Sequence, residues 1–391
     1  MTARAFGFRI SLAYALLMLG SGVQLPFLPL WLAAKGVSVE GIATIVAGMM
    51  ATRIAGAPLF AWFADHFGNR KLVIQLCAGF SLACYGLLAI SNGFGPIMTV
   101  ALVASFMFAP VFPLTEGFSV DGAVAHNLDY GRLRLWASIS FLFGSLGAGS
   151  LLTVLDPLDT AWILAAAQGL AFSATLLLPD EPNLESDGTE SDTPGLARTL
   201  LFGSGFPILM IAAGLAQASH GMLYSFSAVH WSSLGYSTLW IGVFWLAAVA
   251  LEVLVFSFSN VLIAAFGPGP VFLAGISGGI LRWLLMGTFT SYGIMLGAQM
   301  LHALSFAATH LGTMHFIRLL APTAVRNRAQ GIYSAISGGV FLSATAFASG
   351  SLYAAYGGMA YYAMAFISAV ALTVALLVLR LNPRVRAAGA A

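Results

Sequence analysis

The sequence predicts an all-α integral membrane protein of twelve transmembrane helices in two six-helix halves. Three observations predict it. Hydrophobic residues make up 59% of the 391 and charged residues only 8%, against about 25% charged in a soluble domain. That leaves too little polar surface to face water. The apolar segments reach the roughly 20 residues needed to cross a bilayer about twelve times. One long polar stretch, 179–203, acidic and rich in Ser, Thr, Pro and Gly, divides those segments six and six.

The spans, in order, are expected at 6–31, 39–63, 71–91, 95–119, 132–154 and 160–178, then 204–230, 238–261, 270–289, 292–317, 327–352 and 359–380. Each is apolar on all sides, as bundle and lipid-facing helices are; a transmembrane barrel would show short alternating segments instead. The first is long enough to be a retained span and lacks a separate short h-region with a cleavage site, so no removable signal peptide is expected. Stretch 179–203 reads as a solvated linker. The domain plan is therefore 1–178, a cytoplasmic linker over 179–203, and 204–391 with a short tail.

Lys and Arg set the expected orientation. With the N-terminus inside, the inner side receives thirteen of them and the outer side only Lys35, with Arg53 and Arg282 inside spans. The protein is expected in a bacterial-type inner membrane with both termini cytoplasmic. Two six-span halves joined by an inner loop are the plan of a major facilitator transporter, with a substrate site expected between the halves near the midplane. No Walker loop, nucleotide fingerprint, metal cluster or nucleophile elbow is present. Hence no enzyme activity and no cofactor are expected, and transport would be driven by an ion gradient. The expected partners are a small molecule, protons and lipid, with no nucleic acid, and the chain is expected to be a monomer. Cys77 and Cys84 share one span and one side, and read as packing residues.

An ionisable residue at the centre of a membrane helix costs about 3 kcal/mol or more, so it normally faces a partner or a wet cavity. Three consecutive spans each supply one: Glu252, Arg282 and His302. A buried Glu and a His can both titrate near neutral pH, which suits a group loaded and unloaded with a proton once per cycle. Ser305, Thr309 and His310 follow His302 on about the same side. Arg53 lies mid-span with no acid in its own helix, so it meets a buried acid or an anionic substrate. Glu116 and Arg134 are expected to approach each other across a short loop, as a substrate contact or as a structural ion pair. His220, Tyr224 and His230 line a cavity or fill the bundle; His315 lies near a helix end. Gly144, Gly147, Ala148 and Gly149, and Gly275, Gly278 and Gly279, stand at helix-packing spacing. Pro26, Pro29, Pro58, Pro110 and Pro113 are expected to break or kink spans.

Asp65-His66-Phe67-Gly68-Asn69-Arg70-Lys71 resembles the inner-loop signature of the major facilitator superfamily, which helps such proteins switch conformation; Asp65, Gly68, Arg70 and Lys71 are its matching residues. Tyr130-Gly-Arg-Leu-Arg134-Leu-Trp136, Pro113-Leu-Thr-Glu116, Leu281-Arg282-Trp283, Gln299-Met-Leu-His302, Gln217-Ala-Ser-His220 and Tyr224 to Trp231 resemble the phenylpropionate permease family, a branch of that superfamily. More loosely they are similar to lactose permease and its proton-coupled relatives. The resemblance implies proton-coupled symport of a small organic acid of the 3-phenylpropionate type. It implies proton-coupling roles for Glu252, His302 and Arg282, and substrate contacts for Glu116 and Arg134. Arg53 and Arg282 become candidate carboxylate partners, with Trp136, Tyr224 and Trp283 around the ring. Where lactose permease has a Glu one turn after the His, this chain has Ser305, so the proton falls to Glu252 first and Glu116 second. A sugar or nucleoside symporter and a drug-efflux antiporter are the alternatives. A membrane sensor would need an appended soluble domain, for which the linker and tails leave no room.

Overall fold

The structure, a computed structural model, describes residues 2–179, 205–322 and 325–390. The described residues form helices and connecting turns, with no β-strand among them. In chain order the helices begin α1 (Ala3–Ala34), α2 (Val39–Phe67), α3 (Arg70–Ile90), α4 (Phe94–Phe108), α5 (Val111–Ala125), α6 (Tyr130–Leu151) and α7 (Thr160–Leu176). The linker expected at 179–203, apart from Pro179, lies outside the described residues, as does Arg198. Next come α8 (Phe206–Ala218), α9 (Gly221–Ser233), α10 (Thr238–Ser257), α11 (Ser259–Phe266), α12 (Pro268–Thr288) and α13 (Tyr292–Met300). The last are α14 (Thr309–Leu320), α15 (Arg326–Ser334), α16 (Leu342–Tyr356), α17 (Tyr361–Leu381) and α18 (Pro383–Ala390).

Among the described residues nine helical stretches are long and apolar enough to cross a membrane. The ninth, Ala329–Leu381, has 53 residues, room for two crossings at about 20 residues each. The expected fifth and sixth spans, α6 and α7, fall short of that measure, α7 through its 17 residues and α6 through its arginines, serines and glycines. The chain is a multi-pass membrane protein.

The chain packs into two compact units, Met1–Ser186 with Phe226–Leu246, and Asp187–Ser225 with Ala247–Ala391. The sequence assigns 226–246 to the C-terminal half; these residues count with the first unit. In that unit Phe6, Tyr14, Leu17, Ile74, Phe118, Leu133 and Ala171 knit α1, α3, α5, α6 and α7 into one core. In the second, Phe206, Phe272, Phe316, Tyr333 and Ala375 do the same for α8, α12, α14, α15 and α17.

Small residues set the closest helix approaches, because only a missing side chain lets backbones touch. A Cβ on Gly144 of α6 would stand 2.5 Å from the Leu19 carbonyl oxygen of α1, and one on Gly149 2.6 Å from the Thr238 carbonyl oxygen. One on Gly278 of α12 would stand 2.6 Å from the Leu304 Cβ, whereas Gly147 faces open space. Overpacking costs about 1–3 kcal/mol, and about 2–4 °C of Tm accompanies each kcal/mol in a domain of about 150–250 residues. Gly144→Val is therefore expected to lower the melting temperature in detergent by several degrees. Gly147→Val is expected to leave it unchanged, and equal shifts in the two variants would sink the account.

The loop resembling the superfamily signature has a clear local cause. Gly68 closes α2 in the left-handed region, at φ 60°, which a side chain disfavours. Asn69 then caps α3, its Oδ1 accepting from the Leu72 N–H at 2.9 Å. Arg70 leaves this turn to pair with Asp121 of α5 at 2.7 Å, and Asp65 is exposed.

Several expected spans are not continuous α-helix. Pro110 separates α4 from α5, whereas Pro26, Pro29 and Pro58 lie inside unbroken helices. The chain turns at Ser219–His220, between α8 and α9, and Ala303–Ala308 and Ala335–Phe341 are π-helical. Such irregularity frees carbonyls that must find donors at membrane depth. Gln217 Nε2 donates to the Phe306 carbonyl at 3.3 Å, and the Thr345 hydroxyl to the Ala218 carbonyl at 2.6 Å. A Cβ on Gly221 would collide with Thr345 and Ala346, so the turn needs glycine there.

Candidate functional site

The second unit is organised around Arg282, wholly buried on α12. An ion at that depth needs its donors answered; the two Nη nitrogens of Arg282 find acceptors, and its Nε has none among the described residues. Its Nη1 donates to His302 Nδ1 at 2.7 Å and to Ser305 Oγ at 3.1 Å, and its Nη2 to Gln299 Oε1 at 2.7 Å. The ring of Trp283 lies 4.7 Å from the guanidinium carbon. All three acceptors come from the stretch of chain where α13 passes into the π-helical segment.

A guanidinium only donates, so His302 Nδ1 must be the unprotonated nitrogen. Its Nε2 then carries the hydrogen, and that nitrogen faces Glu252 Oε2 of α10 at 3.4 Å. The same reasoning fixes the second imidazole. His220 Nδ1 lies 3.0 Å from the Gln217 carbonyl oxygen and must donate to it, which leaves Nε2 to accept from the Ser305 hydroxyl at 3.2 Å. The resulting chain of donors runs from Arg282 through His302 to Glu252 on one side, and through Ser305 and His220 to a backbone carbonyl on the other. Neither imidazole can take a second proton without losing a bond it already makes. Glu252 is the less sealed group, its side chain 19% exposed against 4% for His302.

Trp283 and His220 are closed to solvent in this arrangement. Trp283 Nε1 donates to Ser219 Oγ at 3.0 Å, its ring stacks on Tyr361 at 5.9 Å, and His220 meets it edge-on at 5.0 Å. They back the charge cluster. Tyr224 is half-buried and stacks on His220 at 5.9 Å.

In the first unit Glu116 and Arg134 lie together. Arg134 Nε donates to Glu116 Oε1 at 3.3 Å, and Tyr130 Oη donates to the same oxygen at 2.6 Å. The guanidinium carbon sits 4.9 Å from the Phe112 ring and 5.8 Å from that of Tyr14. Both charged side chains remain more than a third exposed. Trp136, two residues past Arg134, is exposed and has no part in this cluster.

Arg53 is the central residue of α2, fourteen from either end. It is exposed, and among the described residues it makes no hydrogen bond or ion pair. The group in electrostatic reach is the buried phenol of Tyr85, whose hydroxyl donates to Gln24 of α1.

Three contributors escaped the sequence reading as site residues: Gln299, Ser219 and Tyr130. Gln299 had a legible signal, since it lies three residues before His302 and so on the same side of its helix. Tyr130 stands one turn before Arg134, across the same short loop from Glu116, whereas Ser219 had no signal, because its partner Trp283 comes from a distant helix.

An all-helical, multi-pass chain with paired charges held inside each unit has the make-up of a membrane transporter. The chain belongs to the MFS_1 like family of the major facilitator superfamily, whose sequence profile matches residues 8–364. It is 28% identical over 364 residues to a protein of Escherichia coli (strain K12) described as a "probable 3-phenylpropionic acid transporter", covering 92% of this chain and 94% of that one. It is 24% identical to a maltose permease of Geobacillus stearothermophilus, over 84% of this chain and 83% of the other. Its fold matches the crystal structure of a mutant nucleoside transporter with a TM-score of 0.85 at 18% identity, covering 95% and 99% of the two chains. It also matches a D-xylose–proton symporter at 0.74 and 15% identity, over 97% and 98%. The family and these neighbours are membrane transporters, not enzymes.

Proposed function

We propose that the protein is a proton-coupled symporter that takes up a small organic acid of the 3-phenylpropionate type by alternating access. In this reading it lies in a bacterial inner membrane with both termini in the cytoplasm, as the Lys and Arg distribution favours. The observation that carries the reading is Arg53. A guanidinium at the middle of a membrane helix is costly without a counter-charge, and none of the described residues supplies one. A carboxylate is the ligand a planar fork of donors fits best. Arg282, the other candidate, already has His302, Ser305 and Gln299 and no exposed surface, so the carboxylate falls to Arg53. The 28% identity to a probable 3-phenylpropionic acid transporter supports the aryl acid.

Glu252 is the proposed proton carrier. In the carboxylate form it receives His302 Nε2–H, which holds Arg282 on the other side of the ring. Taking a proton on Glu252 removes the negative member of the array and loosens that hold. His302 and Arg282 thus tune when Glu252 loads and releases. Glu116, Arg134 and Tyr224 are proposed substrate contacts, with Glu116 able to bond polar substituents through its open oxygen.

The test is uptake into liposomes that hold the purified protein, with 3-phenylpropionate, maltose and uridine as probes. 3-Phenylpropionate is expected to concentrate inside alkaline-loaded vesicles and to leak away on adding a protonophore. Accumulation of maltose or uridine instead would move the reading to a sugar or nucleoside symporter, the direction to which the maltose permease relative points.

A further inference from the structure

Among the described residues, His310 is a histidine of the second unit without a role in the array already described; His315, on the same helix, lies further toward its end and turns its Nδ1 to the Leu311 carbonyl. His310 stands on α14, two turns beyond His302 toward the helix end that carries Arg318. It is half-buried, whereas His302 and His220 are sealed. Three rings hold it. Phe306 stacks on it at 6.2 Å with the planes 7° apart, Phe256 of α10 meets it edge-on at 6.2 Å, and Tyr333 of α15 lies at 6.1 Å. Phe306 in turn stacks on His302 at 5.1 Å and 15°. His302, Phe306 and His310 thus form one ladder with steps of four residues. An unbroken α-helix would rotate each step off the last; here the first lies in the π-helical segment Ala303–Ala308, whose wider turns offset that rotation.

Helix α10 runs beside this ladder with the same step. Glu252 faces His302, and Phe256, one turn on, faces His310. Glu252 also lies within electrostatic reach of His310. The titratable and charged groups around His310 are therefore Glu252 from α10, Tyr333 from α15, and His302 on its own helical segment with Arg282 of α12 behind it. Arg282 saturates His302 Nδ1, and Tyr333 is buried against α8 and α14. Of these, Glu252 is the group placed to trade a proton with a half-buried imidazole.

We propose that His310 is the proton-transfer partner of Glu252, a role that rests on the proton-coupled reading above. In the releasing step the Glu252 carboxyl O–H bond breaks, and its proton passes, through water, to the unprotonated nitrogen of His310. Glu252 becomes carboxylate and His310 imidazolium. The imidazolium then gives one proton to water on the side of α14 that carries Arg318 and returns to neutral. No other co-reactant enters, and the step supplies what Ser305 cannot, a titrating group inward of His302.

The test uses full-length protein in liposomes with 3-phenylpropionate, comparing wild type, His310→Gln, His310→Glu and Glu252→Gln. Exchange of labelled for unlabelled 3-phenylpropionate, which needs no net proton release, is expected to stay within twofold of wild type in His310→Gln. Accumulation driven by a pH gradient is expected to fall at least tenfold. His310→Glu restores a titrating group and is expected to regain accumulation with a displaced pH profile, which a packing role for the ring would not produce. Wild-type accumulation and pH profile in His310→Gln would overturn the assignment, and so would loss of exchange along with accumulation. If Glu252→Gln itself accumulates substrate, the assignment of the proton to Glu252 fails and the role of His310 fails with it; if Glu252→Gln is dead and His310→Gln is normal, only the role of His310 fails.

Discussion

Glu252→Gln is expected to abolish uphill transport and to leave substrate exchange intact. Glutamine has nearly the same shape and keeps an oxygen that can accept His302 Nε2–H, now 3.4 Å from the carboxylate. The donors of Arg282 are untouched, since His302, Ser305 and Gln299 stay in place. What is lost is the ability to carry a proton. A hydrogen bond to a charged group contributes about 1.5–3 kcal/mol, against about 1 kcal/mol for a neutral one. The fold is therefore expected to survive with a stability change of about 1 kcal/mol. Accumulation of 3-phenylpropionate against an imposed pH gradient is the measurement. A drop of about tenfold or more would correspond to losing at least 1.4 kcal/mol of coupling. A Glu252→Gln protein that still concentrates substrate would remove Glu252 from the mechanism and return the proton to Glu116.

Arg53→Gln is expected to lose affinity for the acid and to keep its affinity for the neutral amide of the same skeleton. The charge-assisted bonds from a guanidinium to a carboxylate are each worth about 1.5–3 kcal/mol, which is a loss of about 10- to 100-fold in Kd. The amide 3-phenylpropionamide gains nothing from the positive charge, so its binding should change by less than about threefold by the same conversion. Calorimetry or thermal shift with the two ligands reads this directly. Arg53→Lys should recover only part of the loss, because an ammonium meets the carboxylate as a point and not as a fork. Equal binding of acid and amide by the wild type would mean that Arg53 does not hold the carboxylate.

The contrast between the two arginines shows how much of the site was legible. Both lie alone inside apolar spans, and position in the sequence makes them equivalent. Both were candidates for the carboxylate. In the structure Arg282 has three acceptors and no exposed surface, while Arg53 is exposed and without a hydrogen-bonding partner among the described residues. Glu116 and Arg134 were legible as neighbours because a short loop joins their spans, and they pair at 3.3 Å. Tyr130, which binds the same carboxylate oxygen, was quoted in a motif without a role.

Composition by itself determined that this chain lives in lipid. So few charged residues cannot cover a water-facing surface, and backbone groups in hydrocarbon can be satisfied only within helices or closed barrels. The spacing of apolar stretches then located most of the long helices to within a few residues, because bilayer thickness dictates their length. Cost alone marked Glu252, Arg282 and His302 as the residues to explain. The tertiary structure decided which of those charges are answered and which remain open. A hydrogen bond depends on the depth and rotation of two helices at once, and the sequence of either helix records neither. The turn at Ser219–His220 and the π-helical segment after His302 change that rotation within single spans. Through them Gln217, Ser305 and His220 reach the array, and Glu252 is left as its least buried charged member.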